Sequence, residues 1–348
     1  MFAGVGGVAL GFINAGFDVG WSNEFDSNAC KTYKANFPHH TLIEQDVNTL
    51  DTSEVSGVDI ITSGFPCQAF SIAGRREGFN DTSGRGNLFF ETARFIEELQ
   101  PRAFLLENVK NLKSHDKGRT FAIIKDHIEN KLGYSFIYFV LNGCLHGNVP
   151  QNRERVYMIG FRGEAGAPKY DNQTSLFNLN KENSLTSMFK EPNQVDLKLT
   201  VKDVVDWRRK DKKYYFNKDH KYMPELEKVI VSRDTLYQWR RTHVRANKSG
   251  VCPTLTANMG GGGHNVPLLK DSWGYRRLVP RECFRFQGFP EDFILPEDVA
   301  DSQLYKQAGN SVVVPIITRI AKAIKDVLIH ADRKMDDRKT QRWQTYRA

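Results

Sequence analysis

Four short apolar runs, at residues 58–63, 103–106, 136–141 and 156–161, punctuate the first half of the chain, and their length marks them as buried strands. Among them, residues 89–99 and 121–132 carry apolar positions at helical spacing. This alternation predicts an α/β domain built on a doubly wound, mostly parallel sheet covered on both faces. Near Gly163 the pattern stops: Asn, Lys, Ser and Asp dominate, and regular alternation is lost until after the glycine run Gly260-Gly-Gly-Gly263. Helical spacing returns at 280–287 and 315–328. The expected organisation is a first domain over 1–162, a smaller irregular domain over 163–266, a return to the first over 267–332, and a frayed polar tail over 333–348.

A chain of 348 residues with 40% hydrophobic content is long enough to bury such a core. No apolar run reaches the roughly 18 to 20 residues that span a bilayer, and the start lacks the basic region of a signal peptide, so a cytosolic protein is expected. The five cysteines (Cys30, Cys67, Cys144, Cys252, Cys283) include no Cys-x-x-Cys pair, so neither disulfides nor a metal site is expected. Net charge is +8, and residues 201–250 concentrate it, with 14 Lys or Arg against 7 Asp or Glu. Interleaved with Trp207, Tyr214, Tyr215, Tyr237 and Trp239, that segment suits a phosphate backbone and nearby bases; a solvated basic surface accounts for it equally well.

Gly4-Val-Gly6-Gly7 leads into a helical pattern, and Glu24 follows 17 residues after Gly7. Glycines let backbone amides approach a ligand, and an acidic residue after the second strand accepts from ribose hydroxyls. A dinucleotide site would look similar. Gly64-Phe-Pro66-Cys67-Gln68 places a cysteine just past a strand's carboxyl end, where ligands of open α/β sheets bind, and Ser71 to Asn87 reads as a mobile basic loop. Glu107-Asn108-Val109 stands immediately after another apolar run; a helix N-cap region is the bland alternative. In Gln151-Asn-Arg153-Glu-Arg155, alternation sends both arginines to one side if the strand starts early, although surface salt bridging fits the spacing too.

Taken in order, these segments resemble the DNA cytosine-5 methyltransferases of bacterial restriction-modification systems. Phe2-Ala-Gly-Val-Gly-Gly resembles that family's methyl-donor glycine motif, Asn23-Glu24-Phe25-Asp26 its ribose segment and Gln45-Asp46-Val47 its adenine segment. Pro66-Cys67-Gln68, Glu107-Asn-Val and Gln151-Asn-Arg-Glu-Arg155 resemble the nucleophile, glutamate and arginine motifs, and Arg281 to Pro290 and Gln307-Ala-Gly-Asn310 the two return motifs. The resemblance implies Cys67, Glu107, Arg153 and Arg155 as catalytic residues. It implies S-adenosyl-L-methionine as donor, held by Phe2, Gly4, Gly6, Gly7, Glu24, Phe25, Asp46, Val47, Pro66 and Asn310, with no metal. Double-stranded DNA is the implied partner, with Ser71, Arg85, Arg240, Arg241, Arg245 and Thr254 as contact candidates and 163–266 as target-recognition domain. A monomeric bacterial, cytoplasmic enzyme beside a separately acting restriction endonuclease completes the expectation. The resembled family usually has a short hydrophobic strand before its glycine motif, whereas this chain begins at Met1-Phe2, so Phe2 is expected to be poorly anchored. Alternatives are a tRNA cytosine-5 methyltransferase, which shares the cysteine motif, and a catalytically weak DNA-binding homologue; the long basic segment favours DNA.

Overall fold

The computed structural model describes residues 1–66, 88–162, 185–240, 243–247, 249–261 and 266–345. The first half runs α1 (Gly7–Asn14), β1 (Ser22–Asn23), α2 (Ser27–Asn36), β2 (Leu42–Ile43), β3 (Ile60–Ser63), α3 (Leu88–Leu99), β4 (Ala103–Val109), α4 (Arg119–Asp126), β5 (Tyr134–Asn142), α5 (Gly143–His146) and β6 (Glu154–Arg162). There follow α6 (Leu185–Met188), α7 (Val201–Val204), α8 (Met223–Val229), β7 (Tyr237–Arg240), β8 (His243–Ala246), β9 (Leu268–Lys270), β10 (Tyr275–Arg277), α9 (Pro280–Phe286), α10 (Asp301–Asn310) and α11 (Val314–Thr345).

Every apolar run read as a strand is one, but the sheet differs from the expected mostly parallel design. Its order is β3-β4-β6-β5; only β3 and β4 pair parallel, while β6 runs antiparallel to both its neighbours. The reason lies in chain length. Only residues 143–153 join β5 to β6, too few for the crossover helix that a parallel pair needs. The parallel pair β1-β2 forms a separate two-stranded sheet.

Between these sheets lies the start of the chain. Met1 N donates to Thr62 O at 2.7 Å on one side and Ala3 N to Asn23 O at 2.9 Å on the other. Met1 is buried, and Phe2, expected to be poorly anchored, is half-buried against the core that holds Met1, Val47, Leu50 and Ile61. Beside them a cavity of about 470 Å³ is lined by Phe12, Val19, Trp21, Val58, Ile60 and others. Burial pushes the Met1 ammonium down to about 5, against the pull of Glu24.

Residues 237–277 form an antiparallel sheet, β10-β9-β7-β8, in which Tyr237 pairs with Leu268. The boundary expected at 266 therefore cuts through a sheet. Among the described residues, one small core belongs to this region alone, Met223, Leu226, Ile230, Tyr237, Trp239, Val244 and Leu268. Val201, Val204, Leu236, Cys252, Leu255 and Met259 instead share a core with α9 and α10. A fully buried ion cluster ties the sheet to α9: Arg276 on β10 donates to Asp271 at 2.8 Å and to Glu282 at 2.8 and 2.9 Å. The polar stretch from 333, expected to fray, continues α11 as helix to Thr345.

Candidate active site

Glu107 lies within β4 rather than beyond its end, two residues before the strand closes at Val109. Arg155 on β6 pairs in register with Val109. Across that pairing, Arg155 Nε and Glu107 Oε1 stand 3.1 Å apart, both largely buried. The contact counts as an ion pair by distance, yet Oε1 has no hydrogen-bond partner among the described residues. The two observations agree if the N–H points past the oxygen, and the distance then describes attraction without a directed bond. Burial raises the Glu107 carboxyl above the ordinary 4.5, opposed first by Arg155 and then by Arg153.

The approach to the nucleophile motif is built beside this carboxyl. An atom added to Gly64 in the position of a Cβ would lie 3.8 Å from Glu107 Oε2, so glycine leaves that side of the carboxylate open. Asn108 Nδ2 donates to Phe65 O at 2.8 Å, and Phe65 is buried against Phe89. Asn108 stood in the glutamate motif with no role assigned; an amide beside a catalytic acid was the only signal for it. Pro66 is exposed. Cys67, Ser71, Arg85 and Arg241 lie outside the described residues.

Arg153 and Arg155 part company. Arg153 is buried, and its guanidinium is committed to backbone carbonyls: Leu255 O at 2.7 Å, Gly309 O at 3.1 Å and Ser311 O. Burial, reinforced by Arg155 and opposed by Glu107, pushes it down to about 9. The geometry puts Arg155, not Arg153, at the Glu107 carboxylate. Gln151, another residue given no role, is fully buried, accepting from Leu255 N at 3.2 Å and donating to Phe286 O at 2.7 Å.

Around the glycine turn, Gly4 and Gly6 adopt positive φ of 54° and 90°. Glu24, buried, accepts from Gly4 N at 2.8 Å and from Phe25 N and Asp26 N at 2.9 Å each. Phe25 beside it is 69% exposed, a large apolar ring left uncovered. Asp46 is exposed and Val47 buried beneath it, and Asn310 is exposed at the end of α10. These residues fit an adenosyl group, with amides and a carboxylate for the ribose and a free aromatic face for the base.

The recognition-region aromatics do something else. Tyr237 and Trp239 are core residues, the Tyr214 and Tyr215 hydroxyls donate to Asp301 and Asp271, and Trp207 Nε1 donates to Lys202 O. Tyr237 and Trp239 are thereby withdrawn from the surface, whereas Trp207, Tyr214 and Tyr215 stay partly exposed. Arg245 is exposed on β8, Arg240 is the last residue of β7, and Thr254 Oγ1 donates to Asn152 O at 2.5 Å.

The family model for C-5 cytosine-specific DNA methylases matches residues 1–326. The chain belongs to that family. It is a DNA (cytosine-5-)-methyltransferase, of a family that uses S-adenosylmethionine. Type II methyltransferase M.Bsp6I of Bacillus sp. (strain RFL6) is 49% identical over 327 residues, covering 93% of this chain and 96% of that protein. Type II methyltransferase M.SsoII of Shigella sonnei is 39% identical over 330 residues, 94% of this methyltransferase and 79% of its own length. In fold, the methyltransferase is similar to a DNMT2 of Spodoptera frugiperda, with a TM-score of 0.65 at 19% identity, covering 93% of this chain and 97% of that one. No helix among the described residues is long and apolar enough to cross a membrane.

Proposed function

We propose that this methyltransferase is the modification enzyme of a type II restriction-modification system, methylating C5 of a cytosine swung out of duplex DNA. The observation that carries the site assignment is Glu107, a buried carboxyl with an oxygen that accepts no hydrogen bond among the described residues, a raised pKa and Arg155 alongside.

C5 of cytosine is a poor nucleophile until electron density is pushed into the ring. The Cys67 thiolate adds to C6, forming the S–C6 bond, while protonated Glu107 donates a hydrogen bond to N3 and stabilises the charge that accumulates there. Burial, which raises its pKa above the ordinary value, favours the protonated form. S-adenosylmethionine, when bound, supplies the electrophilic methyl group that C5 accepts. Loss of the C5 proton and expulsion of the thiolate then restore the aromatic ring. Arg155 binds the cytosine O2, and its attraction to Glu107 holds both side chains toward the base. Gly4, Gly6, Gly7, Glu24, Phe25, Asp46, Val47, Pro66 and Asn310, with Phe2, hold the donor. C6 is approached from the ring face, so the base leaves the stack. Thr254 and Arg245 contact the DNA backbone or base edges, with Arg240, Arg241, Ser71 and Arg85 in the same role.

Purified protein incubated with tritiated S-adenosylmethionine and mixed-sequence duplex DNA should incorporate label, and Cys67→Ala should not. Bisulfite sequencing of the product identifies the site. Label entering tRNA and not DNA would overturn the substrate assignment.

A further inference from the structure

Three fully or nearly fully buried polar side chains, Gln151, Arg153 and Gln287, join segments far apart in the sequence. Leu255, one residue past Thr254, has both of its peptide groups held by this cluster: its N–H by Gln151 Oε1 and its carbonyl by Arg153 Nη1. The same guanidinium takes the carbonyls of Gly309 and Ser311 at the carboxyl end of α10, while Gln287 Nε2 donates to Ala308 O at 2.8 Å. A guanidinium suits that end, where helix carbonyls lack partners and the dipole is negative.

Contact between α10 and the 255–260 segment is close enough to require glycine. A Cβ on Gly309 would sit 2.1 Å from the Thr256 carbonyl carbon, and one on Gly260 would sit 2.5 Å from Ser302 O. On its other side α10 reaches the donor pocket. Lys306 Nζ pairs with Asp26 at 2.7 Å, and Gln307 Oε1 accepts from Thr32 at 3.0 Å. Asp26 caps α2 through Asn28 N and Ala29 N, and its own N–H is held by Glu24. One helix therefore has the Glu24 loop on one side and the Thr254 segment, through Arg153, on the other.

We infer that Arg153 is a positioning residue which, through α10, makes donor binding and DNA binding depend on one another. A shift of α10 that follows occupation of the donor pocket moves the Gly309 and Ser311 carbonyls, and Arg153 carries Leu255 and Thr254 with them. Linkage then requires the converse, with DNA engaged at Thr254 tightening the donor site by the same factor. The inference rests on the methyltransferase reading above.

The test is calorimetric titration with S-adenosylhomocysteine, with and without the duplex whose methylation site has been mapped. In the wild type, DNA should tighten this ligand about tenfold. In Arg153→Met that ratio should fall below about twofold while affinity without DNA changes little, and Arg153→Lys should restore part of it, since an ammonium reaches fewer of the three carbonyls. A merely structural arginine would weaken both titrations alike and leave the ratio intact, which overturns the inference. A wild-type ratio of one overturns it as well. Where Arg153→Met gives no cooperative melting transition, Lys306→Met, altered at a half-exposed side chain, decides: a ratio below half that of the wild type supports the inference, and any higher ratio overturns it. Wild-type protein that methylates nothing removes the reading and the inference together, whereas methylation without coupling removes the inference alone.

Discussion

Burial raises the Glu107 carboxyl above 4.5 against the lowering influence of Arg155 and Arg153, and that opposition has a pH signature. Between 4.5 and the raised value, the folded chain holds a proton that the unfolded chain has released, so stability falls as pH rises through the window. Glu107→Gln removes this dependence. Urea unfolding across that window should show a shallower decline for the variant, and its methylation rate should drop by about 10² to 10⁴. A second residue-scale expectation concerns Arg276, fully buried between Asp271 and Glu282. Arg276→Met leaves both carboxylates buried without their partner and should lower unfolding free energy by roughly 3–5 kcal/mol, measured by urea titration.

At the scale of elements, the apolar runs were legible because β4 and β6 are buried on both faces, while β3 and β5 are short apolar runs bounded by polar and turn residues. Strand direction was not, since it follows from the span of 143–153 rather than from any residue in the strands themselves. The convergence of Glu107 and Arg155 was also legible: both stood beside strand-like runs, and register brings β4 and β6 together there. The partners of Arg153 were not legible, because alternation says which side a residue takes but not whether carbonyls from 255, 309 and 311 will be waiting on it. Two of the aromatics of 201–250, Tyr237 and Trp239, turn out to be core residues for a related reason. Tyr and Trp serve a small core as well as they serve a base, and composition does not separate the two uses.

Considered whole, the catalytic sheet is interrupted where Met1 to Ala3 lie between β1 and β3. The adjoining cavity of about 470 Å³ is lined by Phe12, Trp21 and Val58 but also by Asp18, Asp59 and Thr62, and burial pushes the Met1 ammonium beside it down to about 5. Five residues added ahead of Met1, apolar where they meet Phe12, Trp21 and Val58, would fill part of that volume and replace a buried amine with an amide that still donates to Thr62 O. Differential scanning calorimetry should find Tm raised, by about 1–2 °C for each kcal/mol gained in a chain of this size; an unchanged Tm would show that the cavity does not accept a strand.

On the proposed reading of this region as the target-recognition domain, the pairing of Tyr237 with Leu268, together with the Arg276 cluster, bears on how target specificity passes between relatives. The small core of 223–246 closes only with Leu268, whereas 252–261 is anchored to α10 and the catalytic side. The smallest transplantable unit is thus discontinuous: 207–247 and 267–277 must travel together while 252–261 stays with the recipient. Hybrids cut at 266 should aggregate on expression, and hybrids exchanging both pieces should stay in solution and methylate the donor parent's sequence. Crossovers that change specificity would then come in pairs.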